Sequence, residues 1–86
     1  MSIDKEKVKE YLVKAFSLVL TEQDILTNRG RAFSMVINYK SPTSNVAVSE
    51  VLSNEEVGDV VQTILVNHTN ARIEATFKKN KLEGGF

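Results

Sequence analysis

Along the first twenty residues the apolar positions return every three or four. Val8, Tyr11, Leu12, Ala15, Phe16 and Val19 fall on one face, while Lys5, Glu6, Lys9, Glu10, Lys14 and Ser17 fall mostly elsewhere. This spacing predicts an amphipathic helix over residues 4–20. Asp4 is placed to cap it, and Ile3 to pack back on Val8 as a hydrophobic staple. Thr21 followed by Asp24 resembles a capping box, and Gly30 suits the end of a short helical turn. The alternative for this segment is a short strand at Ile25–Thr27 with a tight turn at Asn28-Arg29-Gly30; the helical turn is preferred.

Beyond Gly30 the pattern changes. Phe33, Met35, Ile37 and Tyr39 alternate with Ala32, Ser34, Val36 and Asn38, which predicts a strand over residues 31–40. The "KSPTSN" segment, with the only proline at position 42, reads as a loop into a second, antiparallel strand over residues 45–52. Val46, Val48, Glu50 and Leu52 form its more apolar face; Asn45, Ala47, Ser49 and Val51 form the other. Ser53 and Glu56 then make a Ser-x-x-Glu capping box, with Leu52 and Val57 at staple positions. Val57, Val60, Val61, Ile64, Leu65 and His68 keep helical spacing, although Val60–Val66 is β-branched enough to suit a hairpin and Gly58 weakens a helix. The helix is preferred because cap and period agree. Residues 71–79 alternate again, with Ile73, Ala75 and Phe77 on one side and Arg72, Glu74, Thr76 and Lys78 on the other.

The expected architecture is an α+β two-layer sandwich: helix-strand-strand-helix-strand, with both helices on one face of a small, mostly antiparallel sheet. Residues 1–80 form one domain, and 81–86 a flexible tail. In element order alone this resembles the type II KH class of RNA-binding domains. The GXXG loop that clamps RNA in that class is absent, so the chain is not assigned to it.

Composition narrows the function. The 86 residues balance eleven acidic against eleven basic side chains. That excludes a strongly basic nucleic-acid arm or an acidic nucleic-acid mimic as a description of the whole chain. There is no cysteine, hence no disulfide or zinc–thiolate staple. No apolar run approaches the roughly 20 residues of a membrane span, and the charged start lacks a signal-peptide core. The expectation is a cytoplasmic protein without membrane contact. The Asn67-His68-Thr69 glycosylation pattern is then accidental.

Catalytic chemistry is short of parts. The only histidine, His68, sits at the end of the second predicted helix, where a cation complements the helix dipole. Glu55, Glu56 and Asp59 cluster, and Glu56 and Asp59 share a face on which Mg²⁺ could bind. Acids are favoured in a first helical turn without any metal. A metal-assisted hydrolase built on Glu56, Asp59 and His68 is therefore the third reading. The first is a non-enzymatic binding or regulatory protein (an adaptor, inhibitor or accessory factor) without cofactor or metal. It acts by protein–protein contact, as a homodimer, through an open sheet face carrying Val36, Asn38, Val51, Arg72 and Thr76. Leu18, Leu20 and Val66, off the main helical stripes, are further candidate contacts. The second reading is an RNA- or DNA-binding module that uses Arg29, Arg31, Lys40, Arg72, Lys78 and Lys79 on the phosphate backbone.

Overall fold

The computed structural model describes residues 4–82. Five helices follow one another: α1 Lys5–Ser17, α2 Glu22–Thr27, α3 Arg29–Ile37, α4 Val48–Val51 and α5 Asn54–Leu82. There is no sheet among the described residues, so the fold is all-helical and the expected α+β sandwich is overturned.

Three N-caps are where the sequence placed them. Asp4 Oδ1 accepts from the Glu6 and Lys7 amides at 3.1 and 3.4 Å. Ile3, its proposed staple partner, lies outside the described residues. Thr21 and Asp24 form a reciprocal box: the Thr21 amide donates to the Asp24 carboxylate at 2.9 Å, and the Asp24 amide to Thr21 Oγ1 at 3.1 Å. Ser53 and Glu56 do the same at 3.0 and 3.2 Å and start α5. Each box satisfies two donors that a helix start otherwise leaves unpaired.

All three predicted strands fail, for different reasons. At 31–40 six of the eight residues from Ala32 to Tyr39 are apolar, which suits a period of 2 and a period of 3.6 alike. Asn28 decides the matter. It is an N-cap rather than a turn residue, its Oδ1 accepting from the Arg31 amide at 3.0 Å. The helix it starts buries Ala32 and Val36, one turn apart, and packs Phe33, Met35 and Ile37 partly against the core, as Tyr39 does just past its end. Gly30 therefore lies inside α3 rather than ending a turn.

Of the second strand only one antiparallel bridge exists, between Lys40 and Ala47. The Ser41 amide donates to the Val46 carbonyl at 3.0 Å and the Val48 amide to the Tyr39 carbonyl at 2.9 Å. Asn45 takes a left-handed φ of 56°, which asparagine tolerates better than most residues, to close the loop. The chain then enters the single turn of α4.

Residues 71–79 simply continue α5. Prolonging an existing helix avoids a new nucleus, and Ala, Arg, Glu and Lys favour helix. Residues 81 and 82, assigned to a flexible tail, also belong to α5; 83–86 lie outside the described residues.

α1 runs alongside the first half of α5 in the same direction, with Lys5 Nζ 3.4 Å from Glu56. The chain crosses over near His68 and returns through α2 and α3. The core is Leu12, Phe16, Leu20, Ile25, Ala32, Val36, Val48, Leu52, Val57, Val60, Val61 and Ile64. Leu20, expected at the surface, is in it, whereas Val19, expected on the apolar face, is exposed. With 29 residues, α5 is about 44 Å long at 1.5 Å per residue, so its last turns, beyond the Arg72–Glu22 contact, project past the other helices. The molecule measures 54 × 28 × 21 Å accordingly.

Candidate functional site

Beyond Leu65, α5 carries exposed apolar side chains in a regular pattern. Val66, Ile73 and Phe77 are 42%, 53% and 57% exposed. With Asn70 they are spaced four, three and four apart, the rhythm of a coiled-coil seam. At about 100° per residue this line falls on the side of α5 opposite Val57, Val60, Val61 and Ile64. The domain therefore uses one face of α5 for its core, and Val66 and Ile73 stand exposed on the other.

α2 flanks this line. Arg72 Nε donates to Glu22 at 2.9 Å and Nη2 at 3.3 Å, while Thr69 Oγ1 donates to Glu22 at 3.2 Å. At the other end of α2 the Arg29 guanidinium donates to the Gln62 side chain. Leu26, which lies between these two anchors in the sequence, is 66% exposed. The Arg72 fork holds the Glu22 carboxyl below its ordinary pKa and is itself held above its own.

The predicted partner-binding residues are not brought together. No sheet face exists to hold them. Val36 is fully buried between α3 and the core. Val51 lies partly buried on α4 and Asn38 caps the C-terminus of α3, its Nδ2 donating to Ser34 Oγ at 3.1 Å. Arg72 is forked onto Glu22, and Thr76 is exposed on α5.

The predicted nucleic-acid set is spread along the molecule. Arg29 and Arg31 begin α3, Lys40 follows it, and Arg72 lies ten residues, about 15 Å, beyond Gln62 on α5. Lys78 and Lys79 lie further out, with Lys78 paired to Glu74 at 3.3 Å. Two of the six cations are thus already matched by carboxylates.

The metal set is dispersed too. Glu56 accepts from the Ser53 amide, lies 3.4 Å from Lys5 and 3.9 Å from Lys9, and has its pKa lowered chiefly by the Ser53 amide. His68 Nε2 is 2.7 Å from the Leu20 carbonyl. A carbonyl only accepts, so Nε2 carries the hydrogen and the ring ties α5 to the crossover. Among the described residues no three His, Cys, Asp or Glu side chains could hold a metal ion together, and no helix is long and apolar enough to cross a membrane.

Ile73 and Phe77 were missed because a strand reading paired them with Ala75 as an inner face. Leu26 carried no signal, being paired only with Ile25 in an otherwise polar segment. The four-three-four spacing from Val66 to Phe77 was available, but only to a reading that carries the helix through "NHTN". No known family, curated protein or solved structure matches the chain.

Proposed function

We propose that this is a non-enzymatic binding module that works by protein–protein contact, with the outer line of α5 as its contact surface and a second copy of the chain as partner. The observation that carries this is the apolar line Val66–Ile73–Phe77 on the face of α5 turned away from its own core. Such a face is stabilised by burial against another helix. The only imidazole, tied to a backbone carbonyl, and the carboxylates of Glu22, Asp24 and Glu56, engaged in caps and ion pairs, support a role without catalysis.

Charge selects the arrangement. Glu55 and Asp59 continue the outer line toward the N-terminus of α5. Parallel pairing sets the acids of two copies against each other. Antiparallel pairing places them at opposite ends of the seam and removes that repulsion. Asn70 then sits near the middle of the seam, where one polar residue fixes register at some expense of affinity. The four apolar side chains, Leu26 included, offer on the order of 300–400 Å² per copy, under the roughly 800 Å² of a standard interface. Association is therefore concentration-dependent and reversible.

Sedimentation equilibrium over a wide concentration range tests this. The mass of the native chain is expected to climb from one chain toward two. Ile73→Glu, at an exposed helical position, is expected to stay at one chain with an unchanged helical spectrum. A native protein that remains one chain at every concentration, or an Ile73→Glu variant that dimerises like the native chain, overturns the proposal.

A further inference from the structure

At the opposite end of the molecule, an open groove of about 640 Å³ runs between the first turns of α1, the loop after α3, and α4. Val8, Pro42, Val46 and Val51 form apolar walls. Tyr11 and Tyr39 stand at one side. Tyr39 is fixed by an edge-on contact with Phe16, with ring centroids 5.7 Å apart, and its hydroxyl is 3.2 Å from that of Tyr11. One of these hydroxyls donates to the other, so one phenolic hydrogen is left to donate elsewhere.

Charge is the informative feature. Among the described residues Lys7 is the only charged one lining the groove, and it is exposed. The nearby lysines Lys5 and Lys9 lie against Glu56, but Lys7 has no acidic partner among the described residues. The hydroxyls of the Ser41–Ser44 loop are partly spent on one another, Ser41 Oγ lying 3.1 Å from Thr43 Oγ1. What remains is an apolar trough of the size that small-molecule sites usually have, edged by tyrosine and loop hydroxyls and, among the described residues, by one cation without an acidic partner. Its complement is a molecule with an apolar body and a single negative end.

We propose that this groove binds a small apolar carboxylate, its body against Val8, Val46 and Val51 and its carboxylate at the Lys7 ammonium. This site is independent of the contact surface proposed for α5. Some twenty residues of that helix, about 30 Å, separate its N-terminus from Ile73.

The test uses 11-(dansylamino)undecanoate as a fluorescent probe, below its aggregation concentration, with its methyl ester as the uncharged control. The full chain is expected to bind the acid saturably, one per chain, and the ester about fivefold more weakly, the effect of one exposed ion pair. Lys7→Gln should bring the acid down to the ester's affinity and leave the ester's affinity unchanged. Ile73→Glu should bind both probes like the native chain. Amide shifts in an NMR titration should centre on residues 7–11 and 39–51. Absence of saturable binding, equal affinity for acid and ester, no effect of Lys7→Gln, or shifts centred on α5 beyond residue 66 would each overturn the proposal.

Discussion

Replacing Gly58 with alanine should make this protein more stable, and the size of the gain can be worked from its surroundings. Gly58 lies in the second turn of α5, between the buried Val57 and the exposed Asp59. A Cβ built there meets no atom within 4 Å outside the local helix backbone. No clash therefore offsets the intrinsic gain. Glycine inside a helix costs about 1 kcal/mol relative to alanine, mostly through the extra freedom it gives the unfolded chain. The full amount is expected, because α5 is the element on which α1, α2 and α3 all pack. For a domain of this size, about 1 kcal/mol raises Tm by roughly 4–8 °C. Thermal unfolding followed by circular dichroism at 222 nm measures the shift. Urea titration should show a higher midpoint at an unchanged slope, which assigns the gain to stability and not to a change in surface exposed. Gly30 offers a second, smaller gain. Its added Cβ would sit 3.7 Å from Asn28 Oδ1, an ordinary contact, but in the first turn of α3 where helix propensity counts for less. The two sites share no partner, so their effects should add. A Gly58→Ala variant with an unchanged or lower Tm would refute the placement of residue 58 inside a helix with open space beside it.

Val36→Ala should cost about 2 kcal/mol, because it opens a void in a fully buried position between α3 and α5; an unchanged urea midpoint would contradict that burial. Ser53→Ala should cost about 1 kcal/mol by removing one arm of the box that starts α5, with serine's replacement by aspartate expected to restore most of it. Acid should destabilise the fold. The folded state holds the pKa values of Glu22, Asp24 and Glu56 down, through Arg72, the Thr21 amide and the Ser53 amide respectively, so it binds fewer protons than the unfolded chain below the ordinary carboxylate range. Their contribution is fully present above about pH 5.5 and is lost as pH falls toward about 3, so Tm should decline over that interval, and a Tm that stays level to pH 3 would count against these contacts.

The sequence told most where two independent devices agreed. At residues 4–17 and again at 53–68, a capping side chain and a helical period pointed the same way, and both helices exist. It misled where only one device spoke. From Ala32 to Tyr39 the chain is so apolar that alternation and helical spacing both fit, and Asn28 serves turns and N-caps equally well. From Ile73 to Phe77 the alternation is three residues long, and nothing local shows that a helix begun at Ser53 has not ended.

These two errors matter for function because they exchange inside and outside. A strand at 31–40 turns Val36 toward solvent and makes it a partner contact, whereas α3 buries it completely. A strand at 71–79 turns Ile73 and Phe77 toward a core, whereas α5 carries them out past the rest of the molecule with more than half of each side chain exposed. A contact surface is defined by where apolar residues stand relative to the face already used for folding. On α5 that reference is the line from Val57 to Ile64, and Val66, Ile73 and Phe77 stand opposite it. No inventory of residue types shows this, because the same three residues belong to the core or to a partner according to whether one helix stops at His68 or continues.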